Sequence, residues 1–220
     1  PDVLIQACAS GGGRVEYGAL RYFDEFWTSD NTEALSRARI QYGTSLFYPA
    51  VAMGSHVSAV PNHQTGNVTP IKFRFDMACA GRLGMELQPK QMTDAEKEFA
   101  RRAIASYKEY RDIVMQGDLY RIGTPYDESG CYGVLYVAKD KRQAVLFAYS
   151  LRYQGRSLIP KFRLDGLDPK TEYTVRELNV DKPRFWFDGK TLSGELLMNA
   201  GINPHLSKIY DSAVFILKAK

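Results

Sequence analysis

Cysteine is scarce in this chain. Cys8, Cys79 and Cys131 are odd in number and far apart, with no Cys-x-x-Cys pair. That spacing excludes a disulfide framework and a structural zinc site, and each is read by type as a small side chain suited to burial. Long apolar runs are also missing: no stretch approaches the ~18 residues of a membrane span. Nor does one sign of charge dominate. The 29 Lys and Arg are interleaved with 25 Asp and Glu for a net +4, so no nucleic-acid footprint and no membrane partner is expected. No basic and apolar leader precedes the first elements. The chain begins at Pro1 and not at Met, from which an upstream region is expected to have been lost; a soluble, cytoplasmic protein is favoured over a secreted one.

What is present is an ordinary globular composition, 45% hydrophobic and 25% charged over 220 residues. That length suits one large domain or two small ones. The first half reads as alternating strands and helices. Val3–Ala7 is a short apolar run of the kind buried on both faces in a parallel sheet, and it runs into three glycines. A helical stretch follows over about Tyr17–Phe23, then a short strand at Phe26–Thr28 and a helix over about Thr32–Ile40. Thr44–Tyr48 reads as a third strand and Met53–Thr69 as a long polar loop. Met77–Ala80 reads as a fourth strand, followed by a loop from Gly81 to Pro89.

The helix beginning at Thr93 has the strongest local signal. Thr93 and Glu96 form a capping box, and Phe99, Ala103, Tyr107, Tyr110 and Val114 recur on one face until Gly117 stops the helix. Beyond about residue 120 the pattern becomes β-rich. Val134–Val137, Ala144–Tyr149, Lys161–Leu164, Tyr173–Val175 and Val214–Leu217 are separated by turn signals such as Asp188-Gly189. The expected architecture is α/β plus all-β: residues 1–120 as four βα units, residues 121–220 as an antiparallel β-sandwich domain. A closed (β/α)8 barrel takes about 250 residues, so four units make half of one.

Several polar motifs lie at the ends of these strands. Asp30-x-x-Glu33 before a helix is, in local terms, a capping box. A carboxylate at the C-terminal mouth of a barrel strand is equally where that fold places its chemistry. Gly11-Gly12-Gly13 lacks the Gly-Lys-Ser/Thr end of a phosphate loop, and suits close backbone approach to a ligand. Arg14 either orients acidic groups or closes the turn. Trp27, beside the Ser29-Asp30 turn, is either a sugar-stacking platform or core, and Trp186, in Phe-Trp-Phe, reads as core. His56 and His63 lack a third ligand at metal-site spacing, so hydrogen bonds that order their loop are expected; His205 reads as a surface residue.

Taken together, Cys8-Ala9-Ser10-Gly11-Gly12-Gly13-Arg14, Trp27-Thr28-Ser29-Asp30-Asn31-Thr32, Gln41-Tyr42-Gly43-Thr44-Ser45, Met53–Asn62 and Met198-Asn199-Ala200-Gly201 occur in one order along nearly the whole chain. The series resembles the bacterial α-galactosidases of glycoside hydrolase family thirty-six. The resemblance implies the second half of a catalytic barrel, with Val3–Ala7 as its fifth strand, followed by a C-terminal β-domain. It implies a retaining hydrolase of terminal α-D-galactosides of the melibiose and raffinose type, with no cofactor and no metal. Asp30 corresponds to the acid/base, Cys8 and Gly11 to residues that contact the galactosyl unit, and Arg14 and Trp27 stand beside them.

The family's Lys-Trp/Tyr-Asp nucleophile segment is not in this sequence. The expected partners are therefore the galactoside, the remaining N-terminal part of the enzyme, and further copies in a homo-oligomer. Glu33 and Glu16 replace an Asp common in the family, and Glu86 falls in its Gly-x-Glu-Leu pattern with its role open. Galactosyl-transferring relatives, α-N-acetylgalactosaminidases and a non-catalytic carbohydrate-binding or scaffolding protein are the alternatives.

Overall fold

A computed structural model describes residues 3–9, 11–152 and 160–220. Four parallel strands form the first sheet in the order β1-β2-β3-β4: β1 Gln6–Ala7, β2 Glu25–Trp27, β3 Met53–Ser58 and β4 Arg82–Glu86. A 3-10 turn over Tyr17–Arg21 joins β1 to β2. Helices α1 (Ala34–Thr44), α2 (Ile71–Ala78) and α3 (Asp94–Gln116) follow β2, β3 and β4. The sheet is not closed: β1 pairs only with β2 and β4 only with β3 among the described residues.

Several expectations need correction. Only Gln6–Ala7 of the first run is strand, and Val3, Leu4 and Ile5 are 69%, 76% and 46% exposed, because nothing here pairs with the outer edge of β1. Thr44 ends α1, and Leu46–Tyr48 form the turn after it. The third strand is Met53–Ser58, within the segment expected to be loop; its Ser55 and Ser58 hydroxyls are buried and donate to Gln41 Oε1 (2.8 Å) and the Thr32 carbonyl (2.7 Å). Met77 and Ala78 belong to α2, so the fourth strand is the polar stretch Arg82–Glu86.

The helix from Thr93 is as expected. Its capping box is formed, Gly117 is the C-cap, and Ala103, Tyr107, Tyr110 and Val114 are buried. The chain then enters a six-stranded antiparallel sheet, order β5-β6-β7-β10-β8-β9, made of β5 Asp118–Ile122, β6 Cys131–Val137, β7 Gln143–Ser150, β8 Glu172–Leu178, β9 Lys190–Ser193 and β10 Asp211–Ala219. A short helix, α4 (Gly194–Asn199), lies between β9 and β10.

Both faces of this sheet are covered, which explains why all seven residues of β6 are buried. Tyr132, Val134 and Tyr136 pack with α2 and α3 in one core; Cys131, Leu135 and Val137 join Phe162, Leu164, Leu197 and Ile202 in another. Among the described residues the layer over the second face is irregular chain and α4, and Lys161–Leu164, expected as a strand, contributes one isolated bridge, Phe162 to Ile202. Trp186 is not core. It sits in a turn, 81% exposed, with its ring 5.5 Å from that of His205.

Candidate active site

The turn after β2 carries the central carboxylate. Asp30 is exposed and is not a helix cap. The N-cap of α1 is Glu33, whose buried carboxylate accepts from the Leu35 (2.9 Å) and Ser36 (2.8 Å) backbone N–H groups. Capping is therefore done three residues downstream, which overturns the capping-box reading of Asp30 and leaves its side chain free. Among the described residues, it accepts a hydrogen bond from Trp27 Nε1 at 3.0 Å.

Trp27 is buried at 9% exposure, with His56 on one side (ring centroids 4.5 Å) and the Arg37 guanidinium over its ring at 4.6 Å. His56 points from β3 across the Gly84 position of β4, where a Cβ would lie 2.3 Å from the imidazole. Burial lowers the His56 pKa, opposed by the charges of Glu25 and Glu86. His63 is exposed in the turn after β3.

Gly11 approaches Asp30 from the first strand's loop. It has φ +62°, and a Cβ there would sit 2.2 Å from the Asp30 backbone nitrogen. Gly12 has φ +83° and a Cβ would lie 2.5 Å from the Thr28 carbonyl oxygen. Glycine at these two positions lets the two turns interlock. Gly13 N–H closes the turn by donating to the Ala9 carbonyl at 2.8 Å. Ser10 of this motif lies outside the described residues.

Cys8, Arg14 and Trp27 line one cavity of about 300 Å3 together with Gly12, Glu16 and Phe23. Cys8 and Arg14 are exposed at its mouth. Gly11 and Asp30 meet beside it and do not line it. No group of three or more His, Cys, Asp or Glu side chains placed to hold a metal occurs among the described residues. Sequence reasoning missed Arg37. Its signal was a cation on the α1 face shared with Ala34, Ala38 and Gln41, all four of them buried.

Residues 1–117 match the melibiase model, and residues 132–217 match the glycosyl hydrolase family 36 C-terminal domain. The chain belongs to glycoside hydrolase family 36. Alpha-galactosidase C of Emericella nidulans is 44% identical over 220 residues, which cover 99% of this chain and 27% of that protein. Alpha-galactosidase AgaA of Geobacillus stearothermophilus is 38% identical over 100% of this chain and 28% of its own length.

Among solved structures, the family 36 α-galactosidase AgaB of Geobacillus stearothermophilus superposes with TM-score 0.89 at 37% identity, over 99% of this chain and 29% of that one. A variant of AgaA in complex with raffinose gives TM-score 0.89 at 36% identity, again over 99% and 29%. This family 36 chain thus spans under a third of its relatives. Its two sheets are those of a partial (β/α)8 barrel followed by a C-terminal β-domain. No helix among the described residues is long and apolar enough to cross a membrane.

Proposed function

We propose that this chain is the acid/base-bearing portion of a retaining α-galactosidase acting on terminal α-D-galactosides of the melibiose and raffinose type. The supporting observation is the Asp30 carboxylate: exposed after β2, relieved of helix capping by Glu33, and held by Trp27 Nε1 at 3.0 Å. The relatives' names and the raffinose complex of one of them supply the substrate class. The division expected at residue 120 falls inside β5 (Asp118–Ile122), so the barrel portion ends with α3 and the β-domain starts at β5.

In this reading an aspartate outside the chain attacks the anomeric carbon, and the bond to the leaving oxygen breaks as Asp30 gives that oxygen its proton. Asp30, now ionised, takes a proton from water, whose oxygen displaces the enzyme carboxylate and releases α-galactose. Cys8 and the Gly11 backbone contact the galactosyl unit; Cys8, Arg14 and Trp27 line the cavity, and Gly11, outside its lining, meets Asp30. A sugar hydroxyl in place of water would give transfer.

The test is Asp30→Ala in the complete enzyme. A nitrophenyl leaving group needs little protonation, whereas a sugar alkoxide does. The expected loss of kcat/KM is about 10²–10⁴-fold for raffinose and less than about tenfold for nitrophenyl α-galactoside. Equal losses on both substrates would remove Asp30 from the acid/base role. In the wild-type reaction, NMR should show α-galactose formed first; β-galactose would refute retention.

A further inference from the structure

We infer that Arg37 is the positioning residue for Asp30: its guanidinium grips the peptide groups on both sides of that residue and fixes the carboxylate for proton transfer. This rests on the acid/base reading of Asp30. Arg37 is 1% exposed and is among the largest fully buried side chains of the described residues. Its Nη2 donates to the Ser29 carbonyl at 2.7 Å and its Nε to the Asn31 carbonyl at 2.9 Å. Those two carbonyls belong to the residues that flank Asp30. Nη1 donates to Thr28 Oγ1 and reaches the Gly54 carbonyl at 3.5 Å. The guanidinium carbon lies over the ring of Trp27, 4.6 Å from its centroid, and Trp27 is the residue whose Nε1 donates to Asp30.

A comparison within the molecule separates this arrangement from a routine buried arginine. Arg74 is also buried, at 4% exposure, and bonds two carbonyls, but it also has the Glu96 carboxylate at 3.0 Å. Arg37 has no ion pair among the described residues. Burial lowers its pKa to about 10, with the charges of Glu86 and Asp30 pulling the other way. A cation that forgoes a carboxylate partner and spends its donors on one turn is suited to hold that turn rigid. Gly11 closes the turn from the opposite side, against the Asp30 nitrogen. Asp30 is thus bracketed through its backbone while its side chain stays exposed.

The experiment is Arg37→Lys in the complete enzyme, which keeps the charge and the stem but loses the fork. Raffinose kcat/KM should fall about tenfold more than nitrophenyl α-galactoside kcat/KM, since only raffinose depends on a well-placed acid. A purely structural role would lower both by one factor, the fraction folded. Equal losses, or none, overturn the inference. Should Arg37→Lys fail to fold, Thr28→Val removes one acceptor of the guanidinium at constant shape; the ratio should then shift about threefold in the same direction, and an unchanged ratio overturns the inference. Asp30→Ala is run alongside. If it shows no substrate split, the acid/base reading fails; if it does and Arg37→Lys does not, only the role of Arg37 falls.

Discussion

At the residue scale the site depends on side chains held without charge partners of their own. His56 is the case with a pH consequence. Its imidazole packs against Trp27 at a tilt of 50° and fills the space left by Gly84. Burial is the largest influence on its pKa and lowers it; Glu25 and Glu86 raise it and Arg37 lowers it further. The unfolded chain therefore binds a proton near pH 6.5 that the folded chain takes up only at lower pH. This stabilising contribution is complete above the unfolded value and declines as pH falls through the window down to the folded value. His56→Phe preserves a ring against Trp27 and cannot titrate. The fall in Tm of the complete enzyme between pH 7.5 and pH 5.5 (round values chosen to straddle about 6.5) should be smaller in the variant than in the wild type. Equal falls would show that His56 does not sense this window.

At the scale of elements, α2 shows both how the fold is held and why part of it was hard to read. Ile71–Ala78 contains Phe73, Phe75 and Met77 alternating with Arg74 and Asp76, a period of two that imitates a strand. The helix is buried nearly all round, so no helical stripe survives, and the polar residues inside it are satisfied by distant partners. Asp76 is fully buried and accepts from Lys72 Nζ, from Asn179 Nδ2 at 2.7 Å and from Ser212 Oγ at 2.7 Å. Asp76→Asn would turn an amide N–H₂ toward these donors and leave Lys72 without its counter-charge. We expect a loss of about 3 kcal/mol, read from the denaturant midpoint; a change below about 0.5 kcal/mol, the range of a surface substitution, would refute the hub role.

The same physics explains the other misreadings. β3 and β4 are rich in Ser, His, Gly and Arg because they face an interior lined with polar groups, so they lacked the apolar signature of a strand. Glu25, for example, pairs with Arg82 at 3.0 Å across the sheet. By contrast α3 was legible because its capping box and one-sided stripe are local, and β6, β7 and β10 because two buried faces give continuous apolar runs. Of the proposed site, Asp30, Cys8 and the glycines are picked out by motif order. The Glu33 cap is not, because Asp30 offers the same local pattern three residues earlier, and Arg37 is not, because its partners at Thr28, Ser29 and Asn31 are brought to it only when the turn after β2 is placed against α1.

For the whole molecule the question is what the open barrel sheet requires. The β-domain is fastened to the barrel helices by three buried tyrosines: Tyr132 donates to the Ala38 carbonyl (3.3 Å), Tyr136 to that of Ala80 (2.8 Å) and Tyr149 to that of Asp76 (2.9 Å). Burial raises the pKa of all three, so they remain neutral donors. That side of the molecule is complete. The sheet edges are not: among the described residues β1 and β4 each present an unpaired edge, and Val3, Leu4, Tyr17 and Tyr22 are 69%, 76%, 66% and 70% exposed. Unpaired strand edges beside exposed apolar side chains favour association with another chain. We therefore expect residues 1–220, produced alone, to self-associate in light scattering. They should not hydrolyse nitrophenyl α-galactoside, because the role proposed for Asp30 is protonation of the leaving oxygen and no residue of the chain is proposed to attack the anomeric carbon. Joined to the N-terminal portion of a family 36 α-galactosidase, the same residues should become active, and amides 3–7 should gain hydrogen-exchange protection as β1 acquires its second neighbour. Turnover by a monodisperse monomer of residues 1–220 would refute both the open half-barrel and the external nucleophile.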